Sequence, residues 1–388
     1  MSSTTKDAVV FVCKAPPHRA GGGLGVAYNF LHGCTTWEIF GVTTEAWLLI
    51  GEELSRPPAP GTSVDDFLAS LNPGSKHGAA LFYHQARTLD GLASRYRKVA
   101  VVGFSPFYFW PFLRGSNVAT VHVEQSKGGR HHELAEERGG FGLRSRFIQA
   151  CVGLNFRCTD RIVFPSRGAL NLFTEKNPHL KEVAERKVAI TYNGVAACEP
   201  PAPRERSGPL RIVSVAHHVR EKGLDNMLEA LRQATASGTD WSMVNYGQKT
   251  DLTAPLVARA EQAGISGRIE FAGLQPQPEV RANLTKADVF LHTPVVVVFD
   301  LSLLEAMMHA VPIVITPLEG NREALGEDYP LYASTPEETA ERLAWIAANR
   351  DEAARIGMAL RDRALEKFTN EAMAMQYAAL LRELLGHR

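Results

Sequence analysis

The chain has 388 residues, 45% hydrophobic and 22% charged, which is enough apolar content to build more than one core. Its 42 Lys and Arg cancel its 42 Asp and Glu, so no global charge points to nucleic acid. No apolar run approaches the ~20 residues of a membrane span.

Five cysteines, Cys13, Cys34, Cys151, Cys158 and Cys198, are odd in number, widely spaced and without a Cys-x-x-Cys, which suits reduced thiols rather than disulfides or zinc. The N-terminus (MSSTTKDAVVFVC) is polar and then strand-like, not a signal peptide. These features predict a cytoplasmic protein.

Residues 9–13 (VVFVC) predict a buried first strand. Gly21-Gly22-Gly23-Leu24-Gly25 leads into a helix over 26–31. Strand, Gly-rich turn and helix is the layout of a phosphate- or ligand-binding loop, and Gly22 and Gly23 are its candidate binding residues. The spacing is not the dinucleotide fingerprint, and a tight turn needing positive φ gives the same pattern. Residues 44–50 (TEAWLLI) predict a second strand. Residues 56–75, rich in Pro, Gly and Ser, read as an insertion with a short helix over 64–71 capped by Ser63. Asp65-Asp66 reads as the solvated start of that helix.

Residues 79–96 predict an amphipathic helix and 99–102 a buried strand. The aromatic run FSPFYFWPF at 104–112 reads as core; exposed, it would be an acceptor- or membrane-facing patch. Residues 118–123 (VATVHV) predict a strand with His122 near its end. The polar, cationic EQSKGGRHHE follows at 124–133, where parallel α/β proteins bind ligands. Lys127, Arg130, His131 and His132 would meet an anionic acceptor or phosphate. Adjacent His131 and His132 cannot share a helix face, which rules out a His-x3-His metal pair. From Lys127 to Arg167 cations outnumber carboxylates; the excess reads as a solvated helical face, the other reading being contact with an anionic membrane or a charged acceptor. A strand over 161–165, a helix starting at Ser166 and a segment over 188–195 with an Asn193-Gly194 turn close the first half. The Pro-rich, charged 198–209 reads as an interdomain linker.

The second half restarts with a strand over 210–215, then Lys222-Gly223 and a helix over 224–233. Strands over 243–247, 269–274 and 287–292 alternate with helices over 256–263 and 279–284. Residues 295–301 read as a buried loop, 302–309 as a helix, 313–316 as a β-branched strand and 317–323 as a second loop. Glu305 sits in the first turns of that helix among apolar residues, where an unpaired carboxylate is costly and a sugar hydroxyl pair would satisfy it. Helices over 337–349, 351–368 and 371–385 finish the chain. Two runs of strand–helix alternation split by a linker predict an α/β protein of two doubly wound parallel sheets, with ligands at the strand C-terminal ends.

The run Phe299, Leu301, Ser302, Leu303, Leu304, Glu305, Ala306, Met307 resembles the donor-binding signature of retaining glycosyltransferases of family four, the group similar to glycogen and sucrose synthases. Lys222-Gly223, Glu319-Gly320 and Glu323 fit further elements of that pattern at these spacings. Two positions depart from the signature run: its first glutamate would fall at Val297, and the Gly of Phe-Gly-Leu is Asp300. In the Lys-Gly element, His217 replaces the usual Arg.

The resemblance implies the GT-B fold, two Rossmann-like domains facing across a cleft. It implies an acceptor-side domain over 1–198, a linker over 199–209, a nucleotide-sugar domain over 210–368 and a helix over 369–388 that packs back on the first domain. It implies transfer of a sugar from a nucleotide-sugar, UDP-sugar foremost, to a small-molecule, lipid-linked or glycan acceptor with retention. His122, Lys222 and Glu305 are then the catalytic candidates. Lys222 with Arg220 or His217 would hold the diphosphate, since without a metal it needs fixed cations and helix amides. Glu305 would hold the ribose, Gly273 and Leu274 the base, and Phe299, Asp300, Leu301 and Ser302 the sugar or phosphate through their backbone. The chain has no Asp-x-Asp, which argues against a metal-held diphosphate, and no cofactor is implied. The changes at Val297, Asp300 and His217 also fit a non-catalytic partner of an active transferase, and a nucleotide-sugar epimerase of the same fold is a third reading.

Overall fold

A computed structural model describes residues 6–18, 22–34, 36–104, 117–129, 131–133, 140, 142–202 and 207–387. The chain divides into two compact units: Met1–Ala196 with Thr369–Arg388, and Ala197–Phe368.

Among the described residues, the first unit is built on seven strands, β1 (Asp7–Cys13), β2 (Thr44–Ile50), β3 (Glu53–Ser55), β4 (Val99–Gly103), β5 (Val118–Val123), β6 (Arg161–Phe164) and β7 (Val188–Ile190), in the order β3-β2-β1-β4-β5-β6-β7. All pairs are parallel except β2–β3. The central strands are Val-, Ala- and Leu-rich and buried along their length, because helices cover both faces of a parallel sheet. Helix Gly22–Gly33 packs on helix Asn370–Leu385, and Gly33 makes that possible: a Cβ there would meet the Asn370 carbonyl oxygen at 2.0 Å. Tyr377 of the closing helix lies edge-on to Phe30 at 5.2 Å, within the core that also holds Phe11 and Phe104.

The antiparallel edge strand β3 stands just before the Pro-rich insertion, where the sequence suggested none. Ser63 caps helix Val64–Ser70 by accepting the Asp66 amide. Helices Leu143–Cys158, Arg167–Lys176 and Lys181–Lys187 carry the chain between β5 and β7. Of the aromatic run, Phe104 is buried in the core; its remaining residues, like Arg130, lie outside the described residues.

The second unit has five parallel strands, β8 (Leu210–Val215), β9 (Trp241–Tyr246), β10 (Ile269–Gly273), β11 (Val289–His292) and β12 (Ile313–Ile315), ordered β10-β9-β8-β11-β12. The order reverses between β8 and β11, which pair through Val289↔Ile212 and Phe290↔Val213. Loops leaving these two strands diverge, and the crevice they leave is where doubly wound sheets take their ligands.

Two expectations need correction here. The loop over 295–301 is not buried throughout: Val295 is 51% exposed, while Val297 and Phe299 turn inward. The second loop, 317–323, is mostly helix, Glu319–Leu325. Gly and Asn are weak helix formers, so propensity favours a turn there. Packing decides instead, because a Cβ on Gly320 would meet the Val298 carbonyl oxygen at 2.5 Å, and glycine lets the helix abut the preceding loop.

Candidate functional site

In the second unit, the loops after β8 and β11 are stitched together. Thr293 Oγ1 donates to the Gly223 carbonyl at 2.9 Å, and the Val295 amide donates to the Glu221 carbonyl at 2.9 Å. Gly223 is left-handed, with φ +63°, and a Cβ on it would meet the Thr293 carbonyl oxygen at 1.9 Å. Only glycine fits there, which explains the Lys-Gly pair in physical terms.

Lys222 ends the short 3-10 turn Arg220–Lys222 and reaches across the switch point. Its Nζ lies 2.6 Å from Asp300 Oδ2. The same carboxylate oxygen is 2.8 Å from Nε2 of His292, the fully buried last residue of β11. Burial works to raise the Asp300 carboxyl, but Lys222 and His292 more than offset it and hold it well below the usual carboxylate range. Burial in turn lowers the His292 imidazole, with Asp300 offsetting only part of the effect. Asp300 therefore stays ionised and accepts from a neutral His292. Lys222, expected to hold a diphosphate together with Arg220 or His217, comes with its own counter-ion.

Asp300 is also the N-cap residue of helix Leu301–Met308, yet its side chain caps nothing. Its Oδ2 takes both Lys222 and His292 and neither oxygen caps the helix, so the first amides of the helix, Leu301 and Ser302 among them, are left for another acceptor. Phe299 is anchored in the core, edge-on to Phe368 at 5.5 Å, so only its backbone is offered to the site.

Glu305 lies one turn along the same helix, on the face shared with Leu301 and Ser302. It is half-buried, and it meets the polar Gln277 and Arg281 of helix Gln277–Lys286. Burial pushes its carboxyl above the ordinary range, with Arg281 and a Gln277 hydrogen bond pulling the other way. The Gln277 Oε1 is buried without a partner.

The remaining candidates are placed as follows. Arg220 is exposed and has no ion-pair partner among the described residues. His217 is exposed, and its Nδ1 accepts the Gln248 amide at 2.8 Å. Its neighbour His218 is the ordered one, buried between Thr253 Oγ1 at 2.7 Å and Asn245 Oδ1 at 2.8 Å. Gly273 ends β10 with φ +79° and accepts the Gly247 amide, while Leu274 is 67% exposed beside it.

Three candidates belong to the other unit. Gly22 and Gly23 open helix Gly22–Gly33 without positive φ, and Gly23 faces the Phe104 carbonyl oxygen, 3.0 Å from where its Cβ would stand. His122 is buried, with Nε2 3.4 Å from Glu124 Oε2 and its ring 5.3 Å from Phe156. Burial would raise the Glu124 carboxyl, but His122 and Ser126 bring it below the usual range. His131 is likewise tied inward, 2.8 Å from Asn177 Oδ1.

Sequence reasoning missed His292, Thr293, Gln277 and Arg281. A histidine ending a strand before a loop is the signal that drew attention to His122, and applied to β11 it finds His292.

A glycosyltransferase from Rickettsia africae matches this architecture along 99% of this chain and 100% of its own, with a TM-score of 0.69 at 13% identity. Anabaena HepE, solved with UDP and glucose, covers 96% and 98% with a TM-score of 0.68 at 14% identity. The fold is GT-B. Within this GT-B chain, residues 199–363 match the family described as Glycosyl transferases group 1. The putative colanic acid biosynthesis glycosyltransferase WcaL of Escherichia coli is 29% identical over 51% of this chain and 52% of its own. The curated relatives are matched over 35–58% of their lengths. Among the described residues, no helix of the GT-B chain is long and apolar enough to cross a membrane.

Proposed function

We propose that the protein transfers a sugar from a nucleoside diphosphate sugar, UDP-sugar foremost, to an acceptor hydroxyl, with retention and without a metal. One observation carries this reading. Lys222, the free amides at the start of helix Leu301–Met308 and Glu305 one turn on converge at the β8/β11 switch point. The rise from Leu301 to Glu305, about 6 Å at 1.5 Å per residue, suits a phosphate at the helix start and a ribose beside the carboxylate. The UDP complexes of HepE support uridine as the base.

In this chemistry the bond from the sugar C1 to the diphosphate oxygen breaks and a bond from C1 to the acceptor oxygen forms on the same face. The acceptor proton passes to the departing phosphate. Lys222, Arg220 and the helix amides offset the charge that grows on the leaving group. Glu305 and Gln277 hold the ribose, and the backbone at Gly273 and Leu274 packs the base. The five free cysteines support a cytoplasmic site of action. Acceptors compatible with the reading are small molecules, lipid-linked sugars and glycans.

Calorimetry with UDP, GDP, ADP and dTDP, each with EDTA and with magnesium, tests the donor site. UDP binding in EDTA, followed by a product of unchanged anomeric configuration by NMR, is the expected result. Binding of none of the four would overturn it.

A further inference from the structure

Helix Leu143–Cys158 in the first unit is apolar on its outer side as well as its buried side, which a helix that meets only protein and water does not need. Its buried side includes the polar Ser145 and Asn155 beside Ile148, Val152 and Phe156. Its outer side shows Leu143 (88% exposed), Phe147 (66%) and Leu154 (43%), with Cys151 and Cys158 in the same stripe. Spacings of four, four, three and four residues keep that stripe on one face. The sixteen residues contain three arginines, Arg144, Arg146 and Arg157, and no carboxylate. Arg146 and Arg157 are exposed, and at 100° per residue both lie about 80–100° to one side of the stripe's centre. The nearby Arg161 is spent on Glu383 at 2.8 Å.

We propose that this face docks the protein on the surface of an anionic lipid bilayer. Exposed leucine and phenylalanine enter the boundary between headgroups and acyl chains, and the arginines stay at the level of the lipid phosphates, the arrangement of an interfacial helix. The charge decides between occupants. From Leu143 to Leu154 the stripe runs about 17 Å at 1.5 Å per residue, a narrow strip against the ~800 Å² per partner of a stable dimer. Across a two-fold axis the arginines would face their own copies and repel. A surface of lipid phosphates meets both the apolar and the cationic parts. This inference stands apart from the transfer reaction.

The test is flotation of the full chain with vesicles of phosphatidylcholine alone and of phosphatidylcholine mixed with phosphatidylglycerol. Co-flotation with the anionic vesicles only, lost at high salt, is expected. Two variants, F147S/L154S and R146E/R157E, change exposed side chains and should keep the parent melting temperature, while each reduces vesicle binding by at least about tenfold. Failure to float, binding by either variant as strong as the parent's, or a concentration-dependent dimer dissolved by F147S/L154S would each overturn the proposal. UDP binding, measured alongside, separates the readings: flotation without UDP binding sinks the donor site and leaves the membrane face standing.

Discussion

Lys222 Nζ stands 2.6 Å from Asp300 Oδ2, so the cation best placed for a phosphate already holds an anion. The relationship arises from one residue, because glycine at position 300 would leave Lys222 unneutralised. A diphosphate arriving at the helix start must share Lys222 with Asp300 or displace it, and it meets a carboxylate of like sign.

Asp300→Asn is therefore expected to bind UDP more tightly, by about tenfold, which corresponds to ~1.4 kcal/mol. The same change leaves Lys222 and the buried His292 without their carboxylate, and the melting temperature should fall by the equivalent of about 1–3 kcal/mol. Calorimetry and thermal denaturation on one sample check both. Weaker UDP binding in Asp300→Asn would show that the carboxylate contacts the ligand favourably.

Glu305 and Gln277 together predict selection for ribose. A carboxylate and a buried, unpartnered amide oxygen are two acceptors, and a ribose offers two adjacent hydroxyl donors. Glu305→Gln should lower UDP affinity by about tenfold to a hundredfold, the range for a hydrogen bond to a charged group. Wild type should discriminate against 2′-deoxy-UDP by a similar factor, and Glu305→Gln much less. Equal loss of deoxy- and ribonucleotide binding in the variant would mean that Glu305 acts elsewhere than on the ribose.

The direction of the Glu305 shift sets a pH dependence. Its folded value is raised by burial, so the stability it contributes is fully present below the unfolded glutamate value, about 4.3, and is lost as pH rises through the raised value. Binding runs the other way, since the ionised form accepts both hydroxyls. UDP affinity should fall as pH drops through that raised value, at a higher pH than an ordinary carboxylate would give. Asp300 is held low and stays charged through this window, and His292, lowered by burial, is the same group in wild type and in Glu305→Gln and cancels between them. The phosphate of UDP titrates too, but it does so equally with Glu305→Gln. The difference between the two affinity–pH curves isolates Glu305 and should vanish at the acid end.

Much of this was readable before the structure. Strand β8, strand β5 and strand β2 have the bounds their β-branched and apolar runs suggest, and Ser63 caps its helix as its residue type implies. Residue types that act through sequence neighbours are legible in this way. Helix Glu319–Leu325 was not, because Gly320 is there for the approach of Val298, a contact set by folding rather than by local propensity. The meeting of Lys222, His292 and Asp300 was hidden for the same reason, since 78 residues separate Lys222 from Asp300. The sequence marked Asp300 as a departure; only the geometry shows what it binds.

Gly223 gives the last prediction, because two independent constraints fall on it. Its φ of +63° costs an alanine about 1–2 kcal/mol, and the Thr293 carbonyl oxygen stands 1.9 Å from where the new Cβ would go. Relief of that overlap must push the loop after β8 away from the loop after β11, breaking the Thr293 Oγ1 hydrogen bond to the Gly223 carbonyl. Gly223→Ala should thus lower stability by about 2 kcal/mol or more and also move Lys222 out of reach of the helix start. If the variant is restored to the folded state by a stabilising osmolyte, its UDP affinity should still be reduced at least about tenfold, because a displacement of the order of 1 Å is enough to spoil positioning. Wild-type affinity in the refolded variant would show that the Lys-Gly junction supports the fold without placing Lys222.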